Sequence, residues 1–516
     1  MRSFQLQLSQ IHDQMRQLEE YKNTRLLIVS KLPPEVLSII LEFLALGSVT
    51  LSYPRRHYNN ILPATQVCRL WRQVALDSPR IWSYIYSSAP PRLVELFLER
   101  ARSAPLHLRT NGWAKNENVL ALLDRLHQVK EMNLICTSEW LKRITSEPTP
   151  LLETLALENA SGSRPAGTFT LSADAFPALR YLTLKYYICA SDSASSFIPL
   201  HSLAIDCTRV TGGELPNSTD FFSAMNNLPH LSSLTLTNAL AQPVGPAPSL
   251  SINLPSLTDL SITDNDMRNI AWMACITAPR IKTIKLWCSE KQIEAEHSAA
   301  IVAAIYLNLP NLTDSHCQFA LSLDTRQVHD YARVRAWTKL TELDQDALSL
   351  VFDFRVPGTS DLRLEESVLT LFPPTTVPPI LYFSSNTPTF SDDDLTIPRQ
   401  RILRQLADIT EVHVNRLIDL PLIMCDTPNK RGQTTMSLPS WKTMVFRDSF
   451  YVKYKSRIFA RLKKQLKARK TVGSPIETWQ LNSVNLESTD LEQFKDLVDC
   501  VPLVVKNPQG AQSWPY

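Results

Sequence analysis

The stretch Leu152-Glu153-Thr154-Leu155-Ala156-Leu157 carries the pattern on which the fold turns. It reads as one apolar residue, two variable ones, then apolar, variable, apolar. The alternating end suits a strand with one buried face, because successive side chains point to opposite sides. The phrase recurs at Val129/Met132/Leu134, Leu179/Leu182/Leu184, Leu200/Leu203/Ile205, Leu231/Leu234/Leu236, Leu257/Leu260/Ile262 and Ile281/Ile284/Leu286, usually after a proline, with starts 21 to 31 residues apart. It falters at Leu312-Thr313-Asp314 and returns as Ile409/Val412/Val414, Trp441/Met444/Phe446 and Ile476/Trp479/Leu481. One strand per phrase, with a helix or loop between, predicts stacked units that bury a common core.

That spacing resembles the leucine-rich-repeat period of about 20 to 29 residues. The expected fold class is therefore α/β, with an irregular leucine-rich-repeat-like solenoid over 127–506 and a continuous parallel sheet on its concave side. Leu155, Leu182, Leu203, Leu234, Leu260 and Ile284 should form one buried column. No phrase can be placed between 318 and 405, a region holding Asp344-Gln345-Asp346, prolines at 373, 374, 378 and 379, and Asp392-Asp393-Asp394. Irregular repeats or a protruding insertion are expected there. A conventional α/β domain with several parallel strands would share the local pattern.

Upstream stands a different signal. Leu32-Pro33-Pro34-Glu35-Val36-Leu37-Ser38-Ile39-Ile40-Leu41 is followed by Gln66-Val67-Cys68-Arg69-Leu70-Trp71-Arg72-Gln73-Val74-Ala75 and by Ser78-Pro79-Arg80-Ile81-Trp82. Prolines suit a helix's first turn, where a missing N–H costs nothing. Val36, Leu37, Ile40, Leu41 and Leu44 make one helical stripe, and Val67, Leu70, Trp71 and Val74 a second. Some fifty residues cannot hide both stripes internally, and leftover apolar surface marks a partner site.

These residues resemble the F-box, with a longer stretch than usual between Leu46 and Ala64. The string from Leu96 to Leu108 also looks like the junction in mushroom-type fungal F-box proteins. The resemblance implies docking onto the Skp-type adaptor subunit, and through it a cullin, of an SCF-type ubiquitin ligase, with Leu32, Pro33, Leu37, Ile40, Val67, Cys68 and Trp71 as the adaptor-binding residues. The solenoid would then hold an unknown protein substrate. The alternative is an interaction scaffold whose F-box-like module is only structural.

The expected organisation is an amphipathic helix over 1–28, the F-box-like domain over 29–86, a linker helix and cap over 87–126, the solenoid, and a flexible tail over 507–516. In the first helix Phe4, Leu8, Ile11, Met15 and Leu18 form a short heptad seam ended by Lys22 and Arg25. A lone helix packing back on the F-box is the preferred reading over a dimer zipper.

Composition excludes several classes. A net charge of +3 over 516 residues gives no bulk attraction to nucleic acid or membranes. Only 11 glycines serve the chain, so phosphate-cradling loops are scarce. Nine cysteines lie singly, with no C-x-x-C pair, and no N-terminal apolar leader occurs. A cytoplasmic or nuclear location is expected. Gly162-Ser163-Arg164-Pro165-Ala166-Gly167 has phosphate-loop glycine spacing, but Thr168-Phe169 replaces the required Lys-Ser/Thr. Asp392-Asp393-Asp394 lacks the spaced ligands of a calcium loop. No catalytic signature, cofactor or metal site is expected.

Two surfaces remain. Residues 453–470 hold nine lysines and arginines and no acid, with Ile458, Leu462 and Leu466 at helical spacing. This reads as an outer helix of the array in preference to a lipid or nucleic-acid tether. The concave strand positions are small and rich in Ser and Thr, without the stacked aromatics of a single-strand nucleic-acid binder. Tyr181, Lys285, Trp287, His413 and Arg447 are the candidate substrate contacts, Trp and Arg being enriched at protein hot spots.

Overall fold

The computed structural model describes residues 2–25, 31–50, 61–109, 116–160, 167–191, 199–208, 210, 215–241, 251–288, 308, 319–326, 331–339, 348–357, 380–385, 409–414, 427–428, 434–435, 438–446, 455–482 and 503–505. Arg447, the prolines at 373–379, the acidic runs at 344–346 and 392–394, the turn at 162–166 and the tail at 507–516 lie outside them. The chain forms two compact units, Met1–Glu214 and Leu215–Tyr516. The division falls between the phrases starting at Leu200 and Leu231, and not after the F-box-like module.

The first unit opens with helix α1 (Arg2–Arg25). Its seam residues are exposed, Phe4 by 68% and Leu18 by 73%. The expectation that this helix packs back on the F-box is therefore corrected: its apolar side chains lie in solvent. Next come α2 (Pro34–Thr50), α3 (Ile61–Ala64), α4 (Arg69–Asp77) and a single 3-10 turn, Pro79–Trp82. Helix α2 buries Leu37, Leu41 and Ala45, spaced four apart, and packs on α3, α4 and the 3-10 turn. The hydroxyls of Ser38 and Ser78 meet at 2.9 Å, and Ser78 Oγ donates to Val74 O. Trp82 ends this module fully buried, its indole N–H donating to Ala75 O at 2.7 Å. Its ring lies edge-on to Phe97, with the Arg100 guanidinium 4.4 Å above it. One tryptophan thus fastens the helices to helix α5 (Pro91–Ala101), which covers the sheet that follows.

That sheet begins earlier than the phrase does. Strand β1 (Tyr84–Tyr86) pairs in parallel with β2 (Leu106–Arg109), and β2 with β3 (Val129–Cys136). The order continues through β4 (Thr154–Asn159), then, past β5 (Thr168–Leu171), β6 (Tyr181–Lys185), and, past β7 (Ile188–Ser191), β8 (Ser202–Asp206), all parallel. Strands β5 and β7 form their own parallel pair. Met132, Leu155, Leu182 and Leu203 are register partners in sequence and are each buried. Helices α6 (Asn116–Leu123) and α7 (Ser138–Ser146) cover the apolar side with Val119, Leu122, Trp140 and Ile144.

The second unit holds α8 (Ser218–Met225), β9 (Ser233–Thr237), β10 (Ile252–Asn253), β11 (Asp259–Asp264), α9 (Met267–Ala271), β12 (Ile276–Thr277) and β13 (Thr283–Cys288). Strands β9, β11 and β13 are parallel, with Leu234, Leu260 and Ile284 in register and buried. Then the direction breaks. Strands β14 (Phe319–Arg326), β15 (Tyr331–Lys339) and β16 (Leu348–Pro357) form an antiparallel meander inserted so that β16 pairs with β13 and β14 with β17 (Ile380–Ser385). The expectation of one continuous parallel sheet is corrected here: β15 runs against its neighbours. An antiparallel neighbour needs only a tight connection, so the turn-and-crossover phrase has no role and disappears from the sequence. The parallel run resumes through β18 (Glu411–Val414), then, past the short pair β19 (Thr427–Pro428) and β20 (Thr434–Thr435), β21 (Thr443–Phe446), β22 (Thr478–Asn482) and β23 (Leu503–Val505).

Two recurring hydrogen-bond devices make the phrase. A turn precedes it: the N–H groups of Leu152, Leu179, Leu231, Leu257, Ile281 and Trp441 donate to the carbonyls of Thr149, Phe176, Leu228, Leu254, Ala278 and Leu438. Each turn carries proline at its second position (Pro150, Pro177, Pro229, Pro255, Pro279, Pro439), where the fixed φ is already that of the turn. A stitch then follows. The Glu153 carbonyl accepts from both Arg180 and Tyr181 N–H, and Arg180's carbonyl from His201 and Ser202. Ser232, Thr258, Thr410 and Lys442 repeat this with Thr258/Asp259, Lys282/Thr283, Lys442/Thr443 and Glu477/Thr478. Both units therefore use the same local construction.

Helix α10 (Lys455–Val472) carries most of the basic run. Leu462, Leu466 and Arg469 are buried, and Arg469 donates to Leu438 O at 2.6 Å with its guanidinium 5.2 Å from the Trp441 ring. Gly473 stops the helix at φ +82°, with Ser474 N–H returning to Arg469 O. This is the six-to-one bond of a left-handed C-cap, which glycine adopts without a Cβ penalty.

Asp264, at the end of β11, is buried and accepts from Asp266 N–H and from Asn269 Nδ2. Burial pushes its carboxyl up to about 6. Folding therefore favours the protonated form. The stability this group supplies is full below the ordinary value of 3.8 and is lost as pH rises through about 6. Asp264→Asn, which keeps the acceptor, should stabilise the protein at pH 7.5, by up to the order of 3 kcal/mol. The gap should narrow as pH falls to 5. Thermal unfolding of both proteins at the two pH values checks this; a gap that widens on acidification would contradict it.

Candidate protein-interaction surfaces

Helix α2 is apolar on more than its inward face. Phe43 is 67% and Ile39 53% exposed, and Val36, Ile40, Leu44 and Leu46 are exposed as well. Val67, before α4, is 56% exposed. Contiguous exposed apolar side chains on one small module mark a binding surface rather than incidental exposure. Among the sequence-derived adaptor contacts, Pro33, Ile40 and Val67 are exposed, and Leu32, Cys68 and Trp71 are half-buried. Leu37 is a correction: it is fully buried against the module's own helices and supports the surface from behind. Ile39 and Phe43 were missed. In a helix apolar on all sides, periodicity does not distinguish the inward stripe from the outward one.

The sheet face opposite the core gives a second surface. In the first unit, Tyr84, His107, Glu131, Thr154, Tyr181 and Ser202 are successive register partners across β1, β2, β3, β4, β6 and β8. Tyr84 stacks on His107 with centroids 4.5 Å apart, and His107 Nδ1 lies 3.1 Å from Glu131 Oε2. The close approach of the His107 ring holds the Glu131 carboxyl below its usual range, against the opposing effect of burial. Burial, and then the Glu42 carboxylate of α2, raises the Tyr84 phenol. Two residues along, Tyr86, Arg109, Asn133, Ala156, Thr183 and Ala204 form the adjacent row. The centre of this row is made of small residues, and in the Tyr84 row beside it Tyr181 is 49% exposed.

In the second unit, Lys285 is exposed and Trp287 is 44% exposed on β13, where register places Asp353 and Arg355 of β16 beside them. His413 is a correction. It is buried, with Nε2 against the Glu411 carboxylate, and its register partner Val445 is buried too. Strand alternation gives a side chain's direction, not its access to water, and at His413 and Val445 the outward position is buried.

No nucleophile stands out among the described residues. The Cys136, Cys189 and Cys207 thiols are buried, which pushes each up to about 12 and keeps them protonated. Among the described residues, no group of three His, Cys, Asp or Glu is placed to hold a metal ion, and no helix is long and apolar enough to cross a membrane.

The F-box-like family matches residues 29–88. The chain thus contains an F-box-like domain, and that domain is the module bearing the exposed apolar face. Its matched end reaches past Trp82 and through β1, so the domain includes the first strand of the sheet. No curated protein matches the chain.

Proposed function

We propose that this protein is a non-catalytic substrate-recognition adaptor of an SCF-type cullin-RING ubiquitin ligase. The exposed apolar face of α2 with Val67 carries the reading: a family that generally docks on Skp-type adaptors here presents a surface its own chain leaves open. The strands from β1 onward form a leucine-rich-repeat-like solenoid that holds a protein substrate, and the transfer chemistry belongs to other subunits. The repeated proline turn and carbonyl stitch support the solenoid. The exposed sheet rows, mixed in charge and dotted with Tyr181 and Trp287, suit a protein ligand better than nucleic acid. Buried, protonated thiols fit a reducing compartment, the cytoplasm or nucleus.

Co-expression with a Skp-type adaptor and a cullin should yield a stoichiometric ternary complex on size exclusion. The chain eluting alone while a known F-box protein assembles under the same conditions would leave the module structural and the ligase reading wrong.

A further inference from the structure

We infer that the outer face of α10 docks an acidic segment of a partner protein, using residues that belong neither to the adaptor face nor to the sheet rows. The inference does not rest on the ligase reading. Packing accounts for only one side of this helix, where Leu462, Leu466 and Arg469 are buried. Lys464, Lys467 and Lys470 are exposed and Lys463 is half-exposed. At i, i+1, i+4 and i+7 these four share about a third of the helix circumference, turned away from the buried seam. Elsewhere Lys130 pairs with Glu153, Lys185 with Glu158 and Lys442 with Glu477. Lys463, Lys464 and Lys467 meet no carboxylate among the described residues, and the sequence has no acid from 453 to 470. Like charges three and four apart destabilise a helix, here at 463/467, 464/467 and 467/470. The helix dipole offsets this only in the last turn, at Lys470. Solubility requires charge, but not charge of one sign. A partner of opposite charge turns the repulsion into attraction.

The chemistry of the face chooses among anions. A helix lying on lipid sinks an apolar face into the headgroup boundary, whereas Leu462 and Leu466 are used inside the protein. Nucleic-acid recognition favours the arginine fork and rings on which bases stack. Here Arg469 is turned inward onto Trp441, and both Trp441 and Trp479 are buried. What remains outside is a row of ammonium groups, which take carboxylates as point charges. The spacing also fits. Lys463 and Lys467 lie about 6 Å apart along the axis, at a rise of about 1.5 Å per residue. Same-face side chains of an extended segment repeat at about 6.6 Å. A segment with a carboxylate at every second residue therefore meets successive lysines.

Fluorescence anisotropy on the full chain tests this, with a labelled peptide of about twelve residues alternating Glu and Ser as the probe. The peptide should bind at low salt and weaken about tenfold on raising salt to ~0.15 M, where screening shortens to about 8 Å. Lys463→Glu with Lys464→Glu and Lys467→Glu should weaken binding at low salt by about tenfold or more. The unfolding midpoint of that variant should not fall, because the reversal removes like-charge contacts. Lys22→Glu with Lys142→Glu and Lys282→Glu makes the same change in net charge on other exposed lysines. It should leave binding within about twofold, since charges beyond a screening length contribute little. No binding at low salt, or equal losses in the two variants, overturns the proposal. Vesicles containing phosphatidylserine or a single-stranded DNA binding this face more tightly than the peptide would overturn it as well, by making the partner a membrane or a nucleic acid.

Discussion

Ile39→Glu combined with Phe43→Glu should weaken binding of a Skp-type adaptor roughly a thousandfold, measured by calorimetry on the purified full chain. Burying each side chain in a partner is worth roughly 1.5–3 kcal/mol, so two give roughly 3–6 kcal/mol, a range whose middle is about three decades in Kd. Burying a carboxylate in their place adds a further penalty. Both side chains are more than half exposed, so the folded protein loses nothing and its unfolding midpoint should not move. Leu37→Ala is the contrasting variant. Leu37 is fully buried, and its truncation should act through stability. Undiminished adaptor binding by the Ile39/Phe43 variant would remove the docking surface from the argument.

Leu234→Ala should cost roughly 2–5 kcal/mol of stability, the range for truncating a fully enclosed leucine. Leu234 is wholly buried and in register with Leu260 on the neighbouring strand. Thr235, the next residue along β9, points to the other face, and Thr235→Ala should stay within about 0.5 kcal/mol. Equilibrium unfolding in urea reads both. Equal effects at the two positions would mean that the alternation assigned to this strand is wrong. Because β9 pairs directly with β11, the loss should be felt first by these two strands, and hydrogen exchange would show it there before elsewhere.

The parallel strands were legible because their phrase is a hydrogen-bonded device with fixed chemistry. Proline at the second turn position and alternating leucines after it leave little freedom, and strands β4, β6, β8, β9, β11, β13, β18, β21 and β22 fall where the phrase is written. Strands β1 and β2 escaped because Tyr84-Ile85-Tyr86 carries only the alternating half, with no turn residue before it. The antiparallel meander escaped because nothing in a long alternating strand states which neighbour it will take. The F-box-like surface was readable as an excess of apolar residues over what the module could hide. Which of them faced outward was not, since Ile39, Ile40 and Leu41 are all apolar and only packing separates them. The position of α1 was illegible for a related reason: a heptad seam states which residues share a face, not whether that face packs on the rest of the chain.

Trp82 has a geometric consequence. By fastening the F-box-like helices to α5, it removes the hinge that a linker would have provided between them and the first strands. Within this unit the parallel strands then act as graduations on a ruler. Neighbouring strands lie about 4.8 Å apart, so the five steps from Tyr84 on β1 to Ser202 on β8 span about 24 Å. A ligand gripped at Tyr84 and one gripped at Tyr181 would be carried at different, fixed distances from the module. Reach along this ruler is set by which strand does the gripping, and a sequence can change it by moving one aromatic residue to the next graduation.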